Sequence, residues 1–95
     1  MTLIVTDESM SSDRTRERAD RLTDQFAAAW RLSWLPERLL TEQQARAGLE
    51  LAEIIHSTPN LDQDEVALAR ASRCAGQLHL VVEQARIALE YRRSL

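Results

Sequence analysis

The sequence predicts an all-α fold, a three-helix bundle with a long C-terminal helix. Three observations predict it. Only two Gly and two Pro occur in 95 residues, which leaves little turn material and calls for few, long elements. Strand-rich folds use more turn residues than this. Apolar residues recur at three- and four-residue spacings over long intervals, and no Pro interrupts the chain after Pro59.

The length corresponds to one domain. Residues 1–11 read as an N-terminal tail and 12–95 as the three-helix domain. Thr2–Thr6 is a short β-branched stretch, either an edge strand or a mobile tail, and Asp7–Ser12 is polar.

The first helix is expected to start near Ser12 or Asp13, each a good N-cap. At about 100° per residue, Ala19, Leu22, Phe26, Ala29, Trp30 and Ser33 share one face. Glu17, Asp20 and Asp24 occupy a second side, and Arg14, Arg18 and Arg21 a third. Pro36 disfavours helix at Leu35 and removes a donor, so the helix is expected to stop near Trp34.

The second helix has the clearest start. Thr41-Glu42-Gln43-Gln44 has the form of a capping box, in which the Thr41 hydroxyl and the Gln44 side chain satisfy each other's backbone amides. Ala45, Gly48, Leu49, Ala52, Ile55 and His56 form its inner face. Arg46, Glu50 and Glu53 lie on the outer face, with Arg46 and Glu50 at pairing distance. Pro59 ends the element.

The third helix is expected to run from Asn60 or Leu61 for roughly 30 residues, about 45 Å. Asp62, Asp64 and Glu65 suit its N-terminal dipole, and Arg92 and Arg93 its C-terminal one. Ala67, Ala71, Cys74, Leu78, Val81, Ala85 and Ala88 follow a 4-3 heptad spacing. A second apolar stripe contains Ala69, Gly76, Leu80, Ile87 and Tyr91. A helix apolar on two sides is either central in a bundle or shared between core and partner.

Charge and composition exclude several classes. Twelve basic residues against 15 acidic leave a net charge of −3, which makes nucleic acid an unfavourable partner. The apolar run Leu3–Val5 is too short for a signal peptide, and nothing approaches the roughly 20 apolar residues of a membrane span. The single Cys74 cannot form an internal disulfide, which fits a reducing, cytoplasmic setting.

Catalytic signatures are absent. Two isolated glycines make neither a phosphate-cradling loop nor a dinucleotide turn, and no nucleophile elbow is present. His56 reads as a packed histidine near a helix end. His79 and Glu83 stand four apart, short of the three or four ligands a metal site needs. Cys74 sits in the heptad seam as a small apolar residue; of the cations that would activate a thiol, only Arg70 and Arg73 are near in sequence. Arg14, Arg18 and Arg21 share a helical face that reads as ion-paired surface, with phosphate contact as the alternative. Trp30 and Trp34 read as core packing, or with Trp34 as an exposed anchor for a protein partner.

The segment Trp30-Arg31-Leu32-Ser33-Trp34-Leu35-Pro36-Glu37-Arg38 resembles a class of short actinobacterial and actinophage proteins with a Trp-x-x-x-Trp-Leu-Pro-x-Arg block. In that class a Gln-Ala pair opens the next helix and Leu-Ala-Glu follows; here these are Gln44, Ala45, Leu51, Ala52 and Glu53. Members often carry Gly between Pro and Arg, where this chain has Glu37. The resemblance covers about a quarter of the chain and implies an origin without a mechanism. All twelve basic residues are Arg, in keeping with a GC-rich genome.

The expected function is that of a non-enzymatic protein–protein interaction protein, an adaptor, inhibitor or regulator, forming a homodimer and docking a further protein. Trp34, Arg38, Leu80, Ile87 and Tyr91 are its expected contact residues. No catalytic residue, cofactor or metal is expected. The alternative is a small DNA-binding regulator using the second and third helices as a helix-turn-helix-like pair. Against it, Asp62, Asp64 and Glu65 would face phosphates at the start of the recognition helix.

Overall fold

The computed structural model describes residues 3–5, 9–12, 15–23 and 28–93. It is an α+β fold, which corrects the expected all-α helical bundle. Five antiparallel strands form a meander in sequence order: β1 (Leu3–Val5), β2 (Ser9–Ser12), β3 (Arg18–Thr23), β4 (Ala28–Leu32) and β5 (Leu35–Leu40). Three helices follow: α1 (Glu42–Ser57), α2 (Glu65–Gln77) and α3 (Val82–Arg93). Strands come first and helices second, the arrangement of a sheet covered on one face.

The expected first helix, from Ser12 or Asp13 to near Trp34, is replaced by β3, β4 and the turn that follows them. The reason lies in Trp30-Arg31-Leu32-Ser33-Trp34. Trp30, Leu32 and Trp34 are all buried while Arg31 is exposed. A helix would point Leu32 away from the two tryptophans; β4 alternates its side chains and places Trp30 and Leu32 inward, and Trp34 is buried from the turn that follows. Met10, between Ser9 and Ser11, follows the same rule. Register then aligns Met10, Ala19 and Leu32 across β2, β3 and β4, and all three are fully buried. On the opposite face Ser9, Asp20 and Arg31 align in the same way. Pro36, expected to stop a helix, is instead the second residue of edge strand β5, where a missing amide costs no ladder bond. Phe26, Arg14 and Asp24 lie outside the described residues.

The second helix is where the capping box puts it. The Gln44 amide donates to Thr41 Oγ1 at 3.1 Å and the Thr41 amide to Gln44 Oε1 at 3.0 Å. Its setting differs from expectation, because α1 is buried on two sides. It packs on strands β2–β5 and, away from them, on α2 and α3. The expected outer face is therefore largely covered. Glu53 is buried, Glu50 pairs with Arg70 on α2 at 3.0 Å, and Arg46 pairs with Glu42 at 3.2 Å rather than with Glu50.

Gly48 sets the contact with the sheet. A Cβ at this position would overlap Leu32 Cδ1 far inside van der Waals distance, so any larger residue would have to displace the fully buried Leu32 side chain. The Trp34 indole Nε1 donates to the Gly48 carbonyl at 3.2 Å, tying the β4–β5 turn to the same point.

The long third helix is interrupted. A 3-10 turn at Leu61–Gln63 precedes α2, which Asp64 caps by accepting from the Ala67 amide at 3.0 Å. The chain then turns between α2 and α3. The Leu80 amide donates to the Ala75 carbonyl and the His79 amide to the Gly76 carbonyl, with His79 at φ 57°. This is a Schellman stop with histidine in the left-handed position that glycine usually takes. Gly76 itself stays helical, with nothing within 4 Å of its would-be Cβ. The heptad seam still faces the core: Ala71, Cys74, Leu78 and Ala85 are buried. Val81, at the turn, is exposed.

The two glycines thus respond oppositely to one substitution. Gly48→Ala is expected to destabilise the fold by about 1–2 kcal/mol through overpacking. Gly76→Ala is expected to stabilise it by about 0.5–1 kcal/mol through reduced unfolded-state freedom. Urea unfolding of both variants reads the signs directly.

Candidate functional site

The residues of the Trp-Leu-Pro-x-Arg block build the fold. Trp30 and Trp34 are 5% and 3% exposed, so the reading of Trp34 as a surface anchor gives way to core packing. Arg38 Nη1 donates to the Leu78 carbonyl at 2.7 Å. Gln44, besides closing its capping box, donates through Nε2 to the Gln77 carbonyl at 3.0 Å. Both carbonyls lie at the C-terminal end of α2, where helix carbonyls lack partners and a cation is favoured. Ala45, Leu51, Ala52 and Glu53, the rest of the block's pattern, are all buried.

The second stripe divides. Leu80 is half-buried against the core, placed there by the Schellman turn. Ile87 and Tyr91 are 60% and 67% exposed. They stand one turn apart on α3, on the side away from buried Ala85 and Leu89. Exposed Glu83 and Glu90 and half-buried Arg86 flank them.

Arg18 and Arg21 do not share a face, and Arg14 lies outside the described residues. Three residues apart on a strand, they point to opposite faces of β3, and Arg18 pairs with Asp20 at 2.6 Å. The described residues contain no cluster of three or more His, Cys, Asp and Glu placed to hold a metal ion. His79, in the turn, is exposed. Cys74 is a buried free thiol. Burial, with the Glu50 carboxylate beside it, pushes its pKa up from 9.0 to about 11, against the opposing pull of Arg70 and Arg73. A thiol held neutral in this way is a poor nucleophile.

A cleft of about 730 Å³ opens between residues 15–17, the C-terminal half of α1 and α3. Ile55, Leu61 and Leu89 supply apolar lining, and Arg16, His56 and Glu90 polar lining. Beside it lies the buried carboxylate of Glu17, another lining residue. Arg92 Nε donates to both Glu17 oxygens at 2.6 and 3.0 Å, and Ser33 Oγ donates to Oε1 at 2.7 Å. Arg16 donates through Nη2 to the Arg92 carbonyl. On the far side, Arg86 pairs with Asp62 at 3.2 Å.

None of this cleft was visible in the sequence. Glu17 and Arg92 are 75 positions apart, and neither occupies a motif. In the sequence, Glu17, Ala52, Ile55 and Leu61 read only as parts of helix faces or starts; His56 alone carries a chemical reading, as a packed histidine, and it is exposed.

No protein-family model matches the chain, and no curated protein or solved structure is detectably similar to it.

Two outcomes follow from the buried pairs. Arg92→Leu leaves the Glu17 carboxylate buried without its cation and is expected to cost roughly 3 kcal/mol, most of it recovered by adding Glu17→Met. A double-mutant cycle in urea measures both. The Cys74 thiol keeps its proton more tightly when folded than when unfolded, so its contribution to stability is complete below about pH 9. That contribution is lost as pH rises towards about 11. Unfolding free energies across this range are expected to fall more steeply for wild type than for Cys74→Ala.

Proposed function

We propose that this chain is a non-enzymatic interaction protein that pairs with a second copy of itself through the outer face of α3. The observation that carries the reading is the exposure of Ile87 and Tyr91 one turn apart on an otherwise charged helix face. Paired exposed apolar side chains at this spacing form a contact ridge, and aromatic residues contribute disproportionately to interface energy. A net charge of only −3 leaves little repulsion between copies.

The non-enzymatic part rests on how the reactive groups are used. Glu17 and Arg92 hold each other, Arg38 caps a helix and Cys74 is a buried neutral thiol. The unpaired, buried Cys74 supports a reducing cytoplasmic setting. The Trp-Leu-Pro-x-Arg block supports an actinobacterial or actinophage origin. The same α3 face would serve an adaptor or inhibitor that exchanges its own copy for another protein. No helix among the described residues is long and apolar enough to cross a membrane.

Light scattering over a range of concentrations tests the pairing. Wild type is expected to pass from monomer to dimer, and Ile87→Glu/Tyr91→Glu to weaken association by about tenfold or more while keeping its circular dichroism. Leu80 is left intact because it packs on the core. A wild type that stays monomeric at every concentration overturns the proposal.

A further inference from the structure

The cleft between α1 and α3 is a second, separate feature, and the geometry points to a small organic amine, a cation on an apolar body, as its ligand. Its volume of about 730 Å³ falls within the roughly 300–1,000 Å³ typical of small-molecule pockets. Apolar side chains from three elements converge on it: Ile55 from α1, Leu61 from the 3-10 turn and Leu89 from α3. They offer a surface for a hydrocarbon or aromatic body.

The sign of the charge follows from which polar groups are already engaged. Glu17 is neutralised by Arg92. Arg86 is held by Asp62 and lies 3.7 Å from Glu83. Arg16 is turned to the Arg92 carbonyl. An anion would have to draw Arg86 or Arg16 away from these bonds. Glu90, by contrast, lines the cleft exposed. The cleft also holds Ile55, His56 and Thr58 at the C-terminal end of α1, where the helix dipole is negative. Arg16 keeps its charge, since a carbonyl does not neutralise it, but its guanidinium is committed to Arg92. The Glu90 carboxylate and the α1 C-terminus are the groups left to hold a ligand, and both favour a cation. The overall net charge of −3 favours approach of the same sign of ligand.

The test is an NMR titration of the full chain with 2-phenylethylamine, set against its acid counterpart 3-phenylpropionate and neutral 2-phenylethanol. The amine is expected to give saturable amide shifts confined to residues 15–17, 55–61 and 86–90. The acid is expected to bind about tenfold more weakly, since an exposed attraction is exchanged for a repulsion of similar size. Glu90→Gln is expected to weaken the amine about fivefold and leave the binding of 2-phenylethanol unchanged. Equal binding of acid and amine, shifts scattered over other acidic side chains, or an unaltered Glu90→Gln titration each overturn the assignment. The Ile87→Ser/Tyr91→Ser variant, which removes the apolar pair without adding charge beside Glu90, is expected to bind the amine as wild type does, which separates this site from the proposed pairing face.

Discussion

The approach of α1 to the sheet at Gly48 is the constraint on which the other packing decisions depend. With no side chain at that position, the helix lies directly over Leu32. The Trp34 indole then reaches the Gly48 carbonyl, so the same contact anchors the last β-turn. Because α1 sits so close to the strands, small residues at Ala45 and Ala52 can be buried without leaving voids. Its other side remains available to α2. The middle layer is a helix buried on both sides, and a buried layer tolerates neither volume change nor an unmatched polar group.

The polar bonds with the longest sequence separation serve the same end. Arg38 and Gln44, at the junction between sheet and α1, take carbonyls at the end of α2. Arg92 near the C-terminus takes Glu17, at the entrance to β3. One set ties the helical half to β5; the other ties α3 back to the sheet. The Schellman turn at His79 makes both possible, because a continuous helix through residue 79 would carry Arg92 far from Glu17. The turn also leaves α3 with one face on the core and one in solvent, and it opens the cleft beside α1.

What could be read in advance was local. The capping box at Thr41 and Gln44, the inner face of α1 from Ala45 to Ile55, and the apolar seam from Ala67 to Ala88 are each written within a few residues, whereas His56, read as a packed end of that face, is exposed. Helical periodicity was misleading over 12–34. Arg-Ala-Asp-Arg-Leu-Thr is compatible with either period, and the scarcity of glycine and proline argued against strands. The alternation in Trp30-Arg31-Leu32-Ser33-Trp34 and in Ser9-Met10-Ser11 was the available counter-signal. It is short, and it competes with a helical reading that pairs the two tryptophans at one turn. The third-helix prediction failed differently: its composition is helical throughout, and the stop uses histidine where a glycine would have announced it.

The sequence by itself determined where α1 begins, that Cys74 is a small core residue, and that one side of the C-terminal third is apolar. These follow from neighbouring backbone and side-chain chemistry, which acts over one or two helical turns. Only the tertiary structure decided that Trp34 is buried, that Leu80 joins the core while Ile87 and Tyr91 stay outside, and that Glu17 meets Arg92. Those outcomes depend on contacts between residues far apart in the chain. A strand's inward face, a buried ion pair and a cleft are each completed by a partner element whose position no local pattern specifies.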